Sequence, residues 1–390
     1  MDNFLPFALP LIGDDEISEV VDTLKSGWLT TGPKSARFEK DFADFVGASN
    51  ALAVNSATSG LHLALEAIGI GEGDVVITTP YTFTATAEVI RYLGADPLLV
   101  DIDPNTFNID PKLIRKAIEN NDKVKAILPV HFAGQSCDMD EILSIAKEFD
   151  VKVVEDAAHA LPTTWKGTTI GSISDITVYS FYVTKTIATG EGGMITTENE
   201  DYLSRMKTMR LHGINRDVFD RYTSDKPSWF YEVVEPGYKY NMTDVAASIG
   251  IHQLKRATEF QQRREWIGEQ YTQAFTDLPL TTPYVAYPDD THAWHLYVLQ
   301  LDLESISIDR DKFIELMVEE GIGTSVHFIP LHLQPYWRDR YDYKENDFPV
   351  ALNVFNRAVS LPIYPKMTDT DVERVIAAVK KVCKNVTNND

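Results

Sequence analysis

The chain has 390 residues, 44% of them hydrophobic, and 36 basic against 58 acidic side chains, for a formal net charge of −22. That length supports a large core and predicts two domains, 1–254 and 255–390. The acidic excess argues against nucleic acid and against an anionic membrane surface as partners. Two cysteines, Cys137 and Cys383, are too few for a disulfide scaffold and lack metal-ligand spacing, so no metal is expected and a reducing compartment is. The first residues lack the basic start of a signal peptide, and no apolar run approaches the roughly 20 residues needed to span a bilayer. A soluble, cytoplasmic protein is predicted.

Short β-rich runs predict strands at 51–55, 75–78, 97–101, 126–131, 151–155, 175–181 and 194–197. Between them, 60–68, 85–93, 111–119 and 139–149 carry apolar residues at helix spacing. This alternation predicts an α/β fold: a large, mostly parallel sheet with helices on both faces. Ligands in such sheets bind beyond the carboxyl ends of the strands, where Asn55, Asp156 and Ser180 fall. Residues 213–237 are polar, aromatic and irregular, and long enough to be functional. A helical stretch over 243–275 reads as a spine between domains. A smaller α+β part follows, with strands at 296–301 and 325–328 and helices at 309–320 and 368–384.

The chemistry concentrates in three places. Ser180-Phe181-Tyr182-Val183-Thr184-Lys185 precedes the glycine cluster Gly190-Glu191-Gly192-Gly193. Glycine there permits close approach of backbone to a ligand, and a desolvated lysine beside it loses its proton readily, as a nucleophilic amine must. Upstream, Val153-Val154-Glu155-Asp156-Ala157-Ala158-His159 ends a buried-looking strand in a carboxylate. A lysine and a carboxylate on neighbouring strand ends suit pyridoxal phosphate, Lys185 holding the aldehyde and Asp156 the ring proton. Without a cofactor, Asp156 would be a cap or turn residue and Lys185 a surface lysine. Val54-Asn55-Ser56-Ala57-Thr58-Ser59 reads as strand, turn and helix start. Its free N–H groups suit a phosphate, with Ala57, Thr58 and Ser59 as contacts and Ser180 adding a hydroxyl; an ordinary capped helix is the plain alternative. Phe83 sits among hydroxyls at a strand-to-helix junction and either stacks on the cofactor ring or packs in the core. His159 lies beside the ring or is a packed polar residue.

These motifs resemble the DegT/DnrJ/EryC1/StrS family of sugar aminotransferases, and the resemblance runs from Gly27-Trp28-Leu29-Thr30-Thr31-Gly32-Pro33 to Ser360-Leu361-Pro362-Ile363-Tyr364-Pro365. It implies a fold-type I enzyme with a large pyridoxal phosphate-binding domain and a smaller C-terminal α+β domain. It also implies a homodimer with active sites at the interface and L-glutamate as amino donor. The partner subunit would contact the phosphate through 237–244, where this chain has Lys239 and Asn241 in place of the asparagine and arginine of many relatives. Lys239/Asn241, His159, Leu211-His212-Gly213-Ile214, the Trp294–Val298 run and the His327–Pro335 run resemble the branch making UDP-4-amino-4-deoxy-L-arabinose. That branch implies a nucleotide-linked 4-keto sugar as acceptor. Trp28, Thr31, His327 and His332 would touch the sugar or simply pack, and Arg216 or Arg221 of the 213–237 loop would meet the diphosphate. Related enzymes include dehydratases with histidine at the lysine position; Lys185 favours aminotransfer. An aminobenzoate-type synthase and a non-catalytic regulatory protein are the other readings.

Overall fold

A computed structural model describes residues 4–215 and 231–387. The strands of the larger sheet are β1 (Asn50–Val54), β2 (Val75–Thr78), β3 (Asp96–Leu99), β4 (Val124–Ile127), β5 (Lys152–Asp156), β8 (Ile176–Ser180) and β9 (Gly193–Thr197); β6 (Thr164–Trp165) and β7 (Thr168–Thr169) form a separate small hairpin. Their spatial order is β1-β9-β8-β5-β4-β2-β3. Pairings β3·β2, β2·β4, β4·β5 and β5·β8 are parallel, while β9 is antiparallel to both its neighbours and alone runs against the rest.

Both faces of this sheet are buried, so its strands are largely apolar and alternate between two cores. Ala53, Ile77, Ile127, Val153, Tyr179 and Met194 face one core, against helices Pro33–Val46, Pro111–Glu119, Met139–Phe149 and Asp244–Lys255. Val54, Val76, Ala126, Val154, Val178 and Ile195 face the other, against helices Ala57–Ala67, Ala85–Tyr92 and Glu200–Arg210. Gly60 lets the first of these three lie close on the sheet. A Cβ there would stand 2.7 Å from Val178 Cγ1. The parallel sheet and its alternating helices are as the periodicity predicts; 75–78, 111–119 and 139–149 agree to the residue.

A second, antiparallel sheet comprises β10 (Leu280–Thr281), β11 (Tyr297–Leu301) and β12 (Ala358–Leu361). Its core draws Ile267 and Tyr271 from helix Ala257–Ala274, Phe313 and Met317 from Arg310–Glu319, and Val372, Val375, Val379 and Val382 from Asp369–Val386. Two expectations fail here. The stretch 243–275 is two helices broken at Arg256, because Ala247, Ile251 and Leu254 pack into the large-sheet core while Ile267 and Tyr271 belong to the second. The predicted strand at 325–328 is one bridge, Ser325 to Ser360, after which the chain leaves the sheet and carries His327 and Phe328 to a cavity. β12 was not predicted.

Candidate active site

Parallel pairing of β5 and β8, with Asp156 opposite Val178, brings their carboxyl ends to one edge. Asp156 closes β5, and Lys185 lies in the loop linking β8 to β9. Both line one cavity of about 620 Å³. Strand alternation separates the two acids of the Glu155-Asp156 pair. Glu155 faces away, fully buried, accepting from Ser174 Oγ at 2.6 Å and Thr177 Oγ1 at 2.8 Å, with His131 Nε2 at 2.8 Å. Asp156 faces the cavity. Thr86 Oγ1 donates to its Oδ2 at 2.8 Å and the Ala158 N–H to its Oδ1 at 3.1 Å.

Burial raises the Asp156 carboxyl above its ordinary range, against the pull of Thr86, Ala158 and Lys185. A cation placed against it would keep it ionised. Burial pushes the Lys185 ammonium down to about 8, with Asp156 opposing and Arg264 assisting. The site therefore holds an amine that is partly neutral near pH 7, next to a carboxylate lacking a full counter-charge.

Ser56, Ala57 and Thr58 line the same cavity at the start of helix Ala57–Ala67. Ser56 Oγ caps the helix by accepting from the Ser59 N–H at 3.1 Å. Gly193 keeps this end open: a Cβ there would stand 2.8 Å from Ala57 N. Ser180, at the end of β8, lines the cavity too. Ser59 does not. Its hydroxyl is buried and donates to Asn55 Oδ1 at 2.7 Å, so it braces the turn rather than meeting a ligand. Ser59, the expected contact, gives way to the capping Ser56, three residues earlier at the start of the same helix.

Phe83 is 61% exposed although it lines a cavity, and its ring lies 6.2 Å from that of Phe328. A flat ligand would cover it, whereas core packing does not. His159 is buried, its ring 5.9 Å from Phe328 and 4.3 Å from His295, and its Nδ1 accepts from the Ala133 N–H at 3.3 Å. Burial and Lys185 hold this imidazole neutral, far below its usual range. His327 is likewise pushed down, to about 3, with Nδ1 2.9 Å from Ser360 Oγ and Phe7 stacked on it at 5.3 Å.

Other predicted contacts lie outside this cavity. His332 is buried, its Nε2 3.1 Å from the Glu345 carbonyl and its ring 4.9 Å from Phe348, which makes it a packing residue. Trp28 Nε1 donates to the Thr31 carbonyl at 3.1 Å, Asn241 Nδ2 donates to Thr31 Oγ1 at 2.7 Å, and Thr31 Oγ1 donates to the Met242 carbonyl. Lys239 is paired in a bridge with Leu211, and burial lowers its ammonium. Arg216 and Arg221 fall outside the described residues. Ser56, Thr86, Glu191 and His295 line the cavity without having been singled out. Each lies in a run the sequence does mark: Ser56 in Val54–Ser59, Thr86 among the hydroxyls around Phe83, Glu191 in the glycine cluster and His295 in Trp294–Val298.

Pyridoxal phosphate fits the residues present. A helix start with backbone donors and hydroxyls suits its phosphate, the open face of Phe83 its ring, Asp156 its ring nitrogen and Lys185 its aldehyde. Comparison with known proteins agrees. Residues 10–380 match the DegT/DnrJ/EryC1/StrS aminotransferase family. The chain is 53% identical over 384 residues to the spore coat polysaccharide biosynthesis protein SpsC of Bacillus subtilis, covering 98% of each. Among solved structures it is similar to the putative sugar aminotransferase Spr1654 of Streptococcus pneumoniae in its PLP form, at 34% identity and TM-score 0.90, covering 99% of this chain and 100% of that one. It is also similar to Helicobacter pylori PseC, an aminotransferase involved in the biosynthesis of pseudoaminic acid, at 26% identity and TM-score 0.91, covering 98% and 100%.

Proposed function

Because the chain belongs to the DegT/DnrJ/EryC1/StrS aminotransferase family, we propose that it transfers the amino group of L-glutamate to a nucleotide-linked keto sugar, with the keto group at C4. Pyridoxal phosphate is its cofactor, and its fold is that of the fold-type I enzymes. The observation that carries the proposal is the meeting of the Lys185 amine, the Asp156 carboxylate and the open start of helix Ala57–Ala67 in one cavity. The names of SpsC and PseC, tied to polysaccharide and pseudoaminic acid biosynthesis, support a sugar acceptor.

When bound, the cofactor supplies an aldehyde to carry the amino group and a ring to accept electron density. The chain's own residues do the rest. Asp156, oriented by Thr86 and Ala158, would hold a proton on the ring nitrogen. Lys185 Nζ, neutral in part near pH 7, would take up the proton of the donor α-carbon as base and give a proton back as acid. Ser56, Ala57, Thr58 and Ser180, which line the cavity at the helix start and the end of β8, would hold the phosphate, and Phe83 and His159, also in its lining, would contact the ring. His327 and Phe328 wall the substrate end.

The working form in this proposal is a cytoplasmic homodimer. The Trp28, Thr31, Lys239 and Asn241 cluster lies outside its own cavity, and in a dimer would serve the partner's phosphate and sugar. The proposed acceptor follows the UDP-4-amino-4-deoxy-L-arabinose branch. A panel of nucleotide-linked keto sugars assayed with glutamate tests this. One mole of 2-oxoglutarate per mole of amino sugar is expected, and none from Lys185→Ala. Loss of water from the sugar without 2-oxoglutarate would indicate a dehydratase instead.

A further inference from the structure

One wall of the cavity is backed by a cation that no acid among the described residues answers. Arg264, on helix Ala257–Ala274, is 2% exposed. Its Nη1 donates to the backbone carbonyls of Trp294 at 3.4 Å, His295 at 3.2 Å and Ile363 at 2.5 Å. Its Nε is buried with no partner, and no carboxylate pairs with it among the described residues. Carbonyl dipoles stabilise a buried guanidinium but leave its charge uncompensated.

The residue whose carbonyl it holds, His295, lines the cavity and is 5% exposed. Its Nδ1 is buried and has no hydrogen-bond partner among the described residues. Burial, His159, Lys185 and Arg264 all keep the ring neutral. A neutral imidazole carries one proton. Placing it on Nδ1 would bury an unpaired donor near the guanidinium, so the lone pair belongs there and the N–H at Nε2, the edge left to the cavity.

We infer that His295 binds a carboxylate of the amino donor through Nε2–H, with Arg264 behind it as a positioning residue that sets the tautomer and supplies the compensating charge. This rests on the glutamate-dependent reading above. A sugar hydroxyl would gain only a neutral hydrogen bond there, whereas a carboxylate also meets the unanswered charge. The cofactor phosphate is served elsewhere, at the helix start. On a chain of net charge −22 a dicarboxylate donor needs such a local cation.

Glutarate, a dicarboxylate without an amino group, is the probe, titrated by calorimetry into cofactor-loaded and cofactor-free protein. His295→Leu should weaken glutarate about tenfold or more in both forms and raise KM for glutamate similarly. KM for the keto sugar and the visible band of the lysine-linked cofactor should stay unchanged. His295→Gln, which restores an N–H near Nε2, should recover most of the affinity. In 15N spectra of the wild type Nε2 should be protonated and Nδ1 bare, and Arg264→Met should move proton density to Nδ1. Unchanged glutarate affinity in His295→Leu, a wild-type proton on Nδ1, or equal rises in both KM values would overturn the assignment. A wild-type protein that never forms the visible band would instead overturn the cofactor reading, while the glutarate titration of the cofactor-free form still judges His295.

Discussion

Capture of pyridoxal phosphate by the cofactor-free protein should titrate with Lys185. Burial lowers its ammonium from 10.5 to about 8. At pH 7 about one amine in ten is then neutral, against roughly one in 3,000 for an unperturbed lysine, a gain of about 300-fold in reactive nucleophile. Stopped-flow growth of the visible band should therefore accelerate about tenfold per pH unit below about 8 and level off above it. Asp156→Asn discriminates between causes. Asp156 raises the lysine, so removing its charge should move the midpoint down, whereas general loosening that admits water would move it up. A wild-type rate still climbing at pH 10, or an upward move in Asp156→Asn, would refute the electrostatic account of this amine.

The same shift carries a stability cost: between about pH 8 and 10.5 the unfolded chain binds more protons, so the burden, roughly 3 kcal/mol, is present below about pH 8 and fades as pH rises. Lys185→Met should accordingly raise the Tm of the cofactor-free protein at pH 7, and a lower Tm would contradict that. Gly193→Ala should lower both cofactor retention and Tm, since the new Cβ would stand 2.8 Å from Ala57 N at the helix start and 2.8 Å from the Tyr179 carbonyl oxygen of the paired strand; equilibrium dialysis and thermal melts measure the two effects. Phe83→Ala should leave the unfolding free energy within about 0.5 kcal/mol of wild type, because the ring is 61% exposed, yet speed cofactor loss. Glu155→Leu should destabilise by about 3–5 kcal/mol in urea melts, because it strips the buried partner from His131, Ser174 and Thr177 together.

Much of the site is readable from spacing. Asp156 follows a β-branched run and Lys185 precedes a glycine cluster, and both patterns are local. Roles that depend on the turn of a helix are less readable: Ser56 and Ser59 are equivalent as letters, and three residues of rotation send one hydroxyl to the cavity rim and the other to Asn55. His295 sits in the Trp294–Val298 run, but that run does not say what the ring does, since its setting comes from Arg264, thirty-one positions earlier in the chain. His332 resembles His327 in composition of surroundings, yet one lines the cavity and the other packs on Phe348.

Residue order was enough for the period of each strand and helix, the class of fold and the pair of groups that define the cofactor, because these rest on contacts between near neighbours along the chain. Strand order β1-β9-β8-β5-β4-β2-β3, the reversal of β9, the break at Arg256 and the placing of an unpaired guanidinium behind an imidazole emerged only with packing. Each is a competition among distant segments for the same buried surface, and no window of sequence contains both competitors.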